Sequence, residues 1–369
     1  MPFRFGPLGV SPTLTITNFG IDSNVFNDPS NPQRDFTMTA TPKVQARVRS
    51  GRVLLSGSLA TGMNYYQKFS DERSVDYSAD GRADVDLGWF KPYGFMSRLD
   101  THERLNAELD LRAPRVQNDV GIGARLQTSS RTSIVLDSRH SKLSFDEAAV
   151  FDGVPLSQTL NSTTGILETG VEWRLTPLTT FSVLASHQQD RFEQSPERDS
   201  NTVRVMPTIR LEAPAIVQGT LAVGYRWFDG INPQLPDYSG VVFKGLVGHT
   251  IADRTRIEVQ LSRDVQYSFE EVDPYYLTTG MRATLTQQLH EALDVRLSVG
   301  RERLDYRAGS SALDSSRVDR ADVASVGVGY RVHPTLRVGV DLEFARRTSD
   351  RADRDYDRTR LMGSVAYGF

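Results

Sequence analysis

Residues 256–267 read Arg256-Ile257-Glu258-Val259-Gln260-Leu261-Ser262-Arg263-Asp264-Val265-Gln266-Tyr267. In an extended chain, Ile257, Val259, Leu261, Val265 and Tyr267 share one face. Arg256, Glu258, Gln260, Ser262, Asp264 and Gln266 share the other. A helix would scatter both sets around its axis, so only a strand keeps them apart. The same period recurs in Leu336, Val338, Val340, Leu342 and Phe344 against Arg337, Gly339, Asp341 and Glu343, and again in Leu221, Val223, Tyr225 and Trp227 against Thr220, Ala222, Gly224 and Arg226.

Extending that reading along the chain predicts eighteen strands, at 9–20, 35–48, 52–66, 75–89, 92–101, 117–127, 131–143, 163–175, 179–191, 201–212, 218–229, 238–249, 254–268, 275–288, 292–305, 320–332, 335–347 and 356–369. The connections between them alternate in length. Short ones include Arg49-Ser50-Gly51, Phe90-Lys91-Pro92, Thr176-Pro177-Leu178-Thr179, Ala252-Asp253-Arg254 and His333-Pro334, and long ones cover 21–34, 102–116, 144–162, 192–200, 230–237, 269–274, 306–319 and 348–355. Short periplasmic turns, long extracellular loops and an even strand number are the pattern of a bacterial outer-membrane barrel. The expectation is therefore an all-β, up-and-down antiparallel barrel over residues 1–369, with 1–8 as a periplasmic lead-in. The longest loops, 144–162 and 102–116, are the candidates to fold inward and gate it.

Composition is consistent with this. The 369 residues include no cysteine, which removes disulfide frameworks, thiolate metal sites and cysteine nucleophiles. There is no apolar run long enough for a transmembrane helix. A mean hydropathy of −0.38 looks soluble, but barrel strands average their apolar and polar faces. Met1 to Pro7 lacks an apolar leader, so the sequence reads as the mature part of an exported chain. The pairs Tyr65-Tyr66, Trp89-Phe90, Trp227-Phe228 and Tyr275-Tyr276 lie near strand ends, where aromatic girdles form.

A charge facing lipid at mid-membrane costs about 2–4 kcal/mol, so the polar face must line the lumen. This rule predicts a wall carrying Lys43, Arg47, Arg82, Arg98, Arg125, Arg139, Arg174, Arg204, Arg210, Arg226, Lys244, Arg256, Arg282, Arg296, Arg331, Arg337, Arg358 and Arg360. Facing them would be Asp80, Asp84, Asp86, Asp100, Asp137, Glu168, Glu172, Glu258, Asp264, Asp294, Asp341 and Glu343. Two readings of that wall stand. Guanidinium forks line a path for anionic or hydroxyl-rich solutes, or the arginines and carboxylates brace a wide barrel by pairing. The modest excess of base leans toward anions.

Other chemistry finds little support. The six histidines, His102, His140, His187, His249, His290 and His333, are not paired at metal-ligand spacing. Asp350-Arg351-Ala352-Asp353-Arg354-Asp355-Tyr356-Asp357 imitates a calcium loop but intersperses arginines and lacks the glycine and closing glutamate. No phosphate loop, cofactor motif or nucleic-acid signature occurs, and an enzyme is the least favoured class.

Two resemblances add to this. The last segment alternates Leu361, Gly363, Val365, Tyr367 and Phe369 and ends on an aromatic. It resembles the C-terminal signature read by the outer-membrane assembly machinery, which gives Tyr367 and Phe369 that expected role. The opening Pro12-Thr13-Leu14-Thr15-Ile16, running into Gly20-Ile21-Asp22-Ser23-Asn24-Val25-Phe26, resembles the first strand of the "putative β-barrel porin" family. The turns Thr176-Pro177-Leu178-Thr179 and His333-Pro334-Thr335-Leu336 are similar to turns of that family. The resemblance implies an outer-membrane pore that accompanies exopolysaccharide or capsule synthesis. It implies as partners the membrane lipid, a periplasmic export protein and the polysaccharide itself. A general or anion-preferring small-solute porin and a non-conducting docking barrel are the alternatives. No catalytic residue, cofactor or nucleic-acid partner follows from it.

Overall fold

The computed structural model describes residues 3–213, 216–233, 235–309 and 317–368. Eighteen long strands follow one another: β1 Leu8–Asp22, β2 Asp35–Ser50, β3 Val53–Tyr66, β4 Ser74–Val85, β5 Phe90–Thr101 and β6 Arg115–Gln127. They continue as β7 Thr132–Phe145, β8 Ser162–Thr176, β9 Thr179–Phe192, β10 Ser200–Leu211, β11 Val217–Gly230 and β12 Tyr238–Ile251. The last six are β13 Thr255–Tyr267, β14 Tyr275–Gln288, β15 Leu293–Arg307, β16 Val318–His333, β17 Leu336–Thr348 and β18 Tyr356–Gly368. Every neighbouring pair is antiparallel. β1 pairs with β2 on one side and with β18 on the other, from Thr13↔Gly368 to Asp22↔Arg360. The sheet is therefore closed and has no free edge to manage.

The turns explain the closure locally. Two residues join β2 to β3, with Gly51 at φ +56°, a conformation open to glycine at no steric cost. In β1 the register shifts between Thr17 and Gly20, with Asn18 at φ +52°. Such a bulge bends a strand and sharpens its twist. A side chain at Gly20 would collide with the Leu361 carbonyl across the β1–β18 seam, so glycine is required there.

The N-terminal lead-in is partly structured. Phe3–Phe5 forms a short strand on the start of β1, pairing Phe3 with Val10. Phe369 lies outside the described residues. Tyr367, its neighbour in the expected assembly signal, faces outward on β18 opposite Leu336.

Outside, the alternation delivers a nearly continuous apolar surface. Leu59, Met63, Ile122, Leu167, Val171, Val223, Met281, Val299, Val340 and Leu361 are all exposed. Most of the true core lies at the extracellular end, beneath the loops. Leu109, Ala113, Phe145, Ala149, Leu156, Leu160, Phe192 and Phe269 form one cluster there, and Phe228, Leu235, Val265, Tyr275 and Leu277 form a second.

These clusters correct part of the girdle expectation. Trp89 and Trp227 are exposed, but Tyr275 and Tyr276 are both buried. The top of β13 departs too. Pairing of β12 with β13 stops at Phe243↔Arg263, and beyond it Val265 and Tyr267 lean inward onto Phe228. The Tyr267 hydroxyl reaches Asp190 on β9 at 2.9 Å. Loops that pack over the strand ends cover both faces there, so alternation no longer reports which side meets lipid.

Candidate functional site

Strand pairing fixes which side chains line the lumen, because residues opposite one another share a face. On that criterion Arg82, Arg125, Arg139, Arg174, Arg204, Arg210, Arg226, Arg256, Arg282, Arg296, Arg337, Arg358 and Arg360 face inward, as do Asp84, Glu172, Glu258, Asp341 and Glu343. Arg98 does not. It stands opposite Ala79 and Asn118, while its neighbour Ser97 points inward and donates to Asp119 at 3.2 Å. Arg98 and Asp100 therefore occupy the outer face at the extracellular end of β5, above Met96, where a charge meets headgroups and water. Charge alone suggested a lumenal place for both, but strand parity governs. Asp86 falls in the periplasmic turn after β4. The same parity brings Asp22, Asp35, Asp76, Asp119, Asp190, Glu302 and Asp319 inside, together with Lys91, Arg115 and Arg347. The excess of base over acid is accordingly narrower than the sequence suggested.

Many of the lumenal arginines are paired. Arg82 chelates Asp84 at 2.8–3.0 Å, Arg125 meets Glu172 at 2.8 Å and Arg226 meets Asp264 at 2.7 Å. Arg296 reaches Asp341 at 2.6 Å, Arg337 reaches Asp294 at 2.5 Å, and Arg360 binds Glu343. Arg204 also approaches Asp264, Arg256 holds Glu258, and Arg358 clamps Asp22. Two aromatic rings join this wall. Phe95 and Tyr93 lie flat over Gly121 and Gly123, where any side chain would strike the rings. Arg139 sits over Phe95 and Arg82 over Tyr93.

A second set of cations has no carboxylate within ion-pair distance among the described residues: Arg47, Arg139, Arg174, Arg210, Lys244, Arg282 and Arg331. All seven are exposed to the lumen. Asp22, Asp35, Asp76, Asp190 and Asp319, by contrast, are buried. The charge offered to a solute is thus more basic than the bare census. Arg47, Arg174, Arg210 and Arg331 each lie within three residues of the periplasmic end of β2, β8, β10 and β16. They are spread around the mouth rather than grouped.

The extracellular half is divided by a loop. Residues 102–114 leave β5, cross the lumen and return to β6. Glu108 accepts from Ser268 Oγ at 2.6 Å, at the β13–β14 connection, and Ala107 packs on Tyr276, Leu304 and Tyr306 of β14 and β15. In a ring of eighteen strands β14 stands opposite β5, so the loop spans the full bore. Arg347 on β17 anchors it, donating to the Ala107 carbonyl at 2.7 Å and to Asp110 at 2.8 Å. Asn27, from the β1–β2 loop, donates to Asp110 at 2.9 Å. Arg347 also binds Asp319, which Arg317 holds at 2.7 Å, and Arg317 in turn binds Glu270 at 2.5 Å.

Loop 146–161 joins this lid. It forms a hairpin, Val150–Phe151 with Val154–Pro155, turned by Asp152 and Gly153 at φ +51° and +78°, as a tight two-residue hairpin requires. A one-turn helix, Leu156–Leu160, then buries Leu156 and Leu160 against Leu109. From the 193–199 loop, Arg198 is 2% exposed and donates to the carbonyls of Ser268 at 2.6 Å and Glu270 at 3.0 Å.

Two cavities border one another near the crossing loop. Beneath the loop, one of about 570 Å³ is lined by Arg282, Arg296, Arg337, Glu258, Asp341 and the Arg360–Glu343 pair. Beside the loop, one of about 260 Å³ lies between Arg104 and Arg112 on the loop side and Tyr66, Thr39, Asn18 and Arg358 on the wall. Asn18, Arg360 and Met362 border both. Of these residues, sequence reasoning missed the loop set Arg104, Glu108, Asp110 and Arg112, because a loop has no period to read. Arg347 was within reach, since it continues the alternation of Arg337, Asp341 and Glu343. Among the described residues no cluster of histidine and carboxylate groups is arranged to hold a metal.

Comparison with known proteins places this geometry. The family described as "Putative beta-barrel porin 2" matches residues 3–369. No curated protein sequence matches the chain. Among solved structures, Pseudomonas aeruginosa OpdK with vanillate is similar at 13% identity and a TM-score of 0.52, over 98% of this chain and 99% of that one. Acinetobacter baumannii OccAB3 is similar at 11% identity and 0.53, over 98% and 99%. P. aeruginosa OccK2 (OpdF) in complex with glucuronate is similar at 9% identity and 0.55, over 98% of both.

Proposed function

This chain belongs to the putative β-barrel porin 2 family and sits in the outer membrane, and we propose that it is a pore for small anionic solutes, carboxylates foremost. One observation carries the reading. Among the described residues, Arg47, Arg139, Arg174, Arg210, Lys244, Arg282 and Arg331 are exposed lumenal cations without a carboxylate partner, whereas Asp80 is the one exposed lumenal carboxylate without a cation. A planar guanidinium without a partner offers a two-pronged site for a carboxylate, and basic rings in a pore favour anions. Arg282, unpaired in the cavity beneath the crossing loop, is the residue placed to meet the solute there. Arg47, Arg174, Arg210 and Arg331 would hold it at the periplasmic mouth.

The solved relatives lend support from outside. OpdK was crystallised with vanillate and OccK2 with glucuronate, both small carboxylates. Export of a polymer, which the sequence resemblance implied, fits less well. The loop 102–114 crosses the extracellular half of the bore, and the cavity of about 260 Å³ beside it suits a small molecule better than a continuous chain.

The test is open-channel block in a planar bilayer. Small aromatic and sugar carboxylates, a neutral sugar of the same size and an acidic polysaccharide are added in turn. The carboxylates are expected to bind and interrupt the current. Arg282→Gln should weaken that block about tenfold, the loss of one charge-assisted contact. Equal block by the neutral sugar would overturn the anion reading. Block by the polysaccharide alone would restore the export reading.

A further inference from the structure

We propose that the outer face of β15–β17, at the extracellular boundary of the membrane, is a binding site for the phosphate groups of an outer-leaflet phosphorylated glycolipid. The boundary can be located residue by residue. Going up the barrel wall, the outward positions are Val295, Leu297 and Val299 on β15, then Arg301 and Arg303. On β16 they are Val328, Val326 and Ala324, then Asp322 and Arg320. On β17 they are Val340, Leu342 and Phe344, then Arg346. Three adjacent strands change from apolar to charged at one level, which marks the edge of the hydrocarbon.

What stands at that level is unbalanced. Arg301 and Asp322 satisfy one another, with contacts of 2.5 and 3.1 Å. One step higher, Arg303 and Arg320 are directly opposed across the β15–β16 ladder. Like charges in that position repel and destabilise a sheet. Arg303 finds a carboxylate only at 3.8 Å, on Asp305, which it shares with Arg307 at 3.3 Å. Arg320 is exposed and has no carboxylate partner among the described residues. Arg346, diagonal to it, meets Asp357 only at 3.7 Å, with both side chains more than two-thirds exposed. A dianion seated between Arg303 and Arg320 would relieve the repulsion and take charge-assisted bonds from both. A phosphate carried on a lipid whose chains lie along Val299, Ala324 and Phe344 arrives at this height without further cost. Lys142, an outward cation near the extracellular end of β7, is by contrast already matched by Glu193 at 2.8 Å.

Purified protein in phosphatidylcholine nanodiscs is titrated with diphosphoryl lipid A, with its dephosphorylated form and with inorganic phosphate. Native mass spectrometry counts the bound lipid. Heat-modifiable gel mobility checks that each variant is folded. Diphosphoryl lipid A is expected to bind stoichiometrically, and Arg303→Gln with Arg320→Gln should weaken it on the order of tenfold or more. Lys142→Gln should leave it unchanged. Equal binding of the dephosphorylated lipid, or by the folded double variant, overturns the proposal. Equal occupancy by inorganic phosphate alone would show a free-anion site and overturn the lipid assignment.

Discussion

Glu108 shows how much one loop residue can carry. Its carboxyl is 1% exposed, with Oε1 on Ser268 and Oε2 without a protein hydrogen-bond partner. Burial pushes it up to about 7 from an ordinary 4.5, with Glu270 adding to the rise and Arg317 and Arg347 opposing it. Tyr276, Tyr306 and Asp319 complete its surroundings. A carboxyl whose docked value is raised holds its proton longer when docked than when free. The docked loop is therefore favoured in acid, loses ground as pH climbs from 4.5 to about 7, and changes no further above that. Open probability should rise across this window in bilayer recordings, and Glu108→Gln should flatten the dependence. An unchanged pH profile in that variant would refute the role. None of this was legible in the sequence, where Glu108 is one acid in an aperiodic stretch. Arg98 was misread for the opposite reason: its charge argued for the lumen, but its place in the alternation put it outside.

At the scale of elements, strands that separate two media declare themselves. β13 up to Arg263, β17 and β18 show it, with lipid on one face and water on the other. The upper ends of β13 and β14 do not, because Tyr275 to Thr278 are buried on both faces by loops. The inward loops could be nominated by length, since 102–116 and 144–162 were the longest, but not their partners. Those depend on ion pairs between distant stretches, such as Arg347 with Asp110 and Arg354 with Asp152. The crossing loop should be the main resistance of the pore. Replacing 105–112 by a short Gly-Ser turn is predicted to raise single-channel conductance several-fold while the barrel still closes, since the β1–β18 seam is made by strand pairing that does not involve the loop. Unchanged conductance would mean that the restriction lies elsewhere.

The whole molecule is a closed wall whose lumenal charges fall into two populations. Paired arginines brace the bore, as Arg82 does with Asp84 and Arg296 with Asp341. Unpaired ones, from Arg139 and Arg282 at mid-height to the four at the periplasmic mouth, give the lumen its sign. Composition could not separate these populations, because pairing is a property of register. The near-neutral chain, at −3 overall, conceals an electrostatic path. The direct test is the reversal potential of single channels under a potassium chloride gradient, at low ionic strength where screening is weakest. A potential displaced toward the chloride equilibrium value is the predicted result; a potential displaced toward potassium, or a barrel that never conducts, would contradict it.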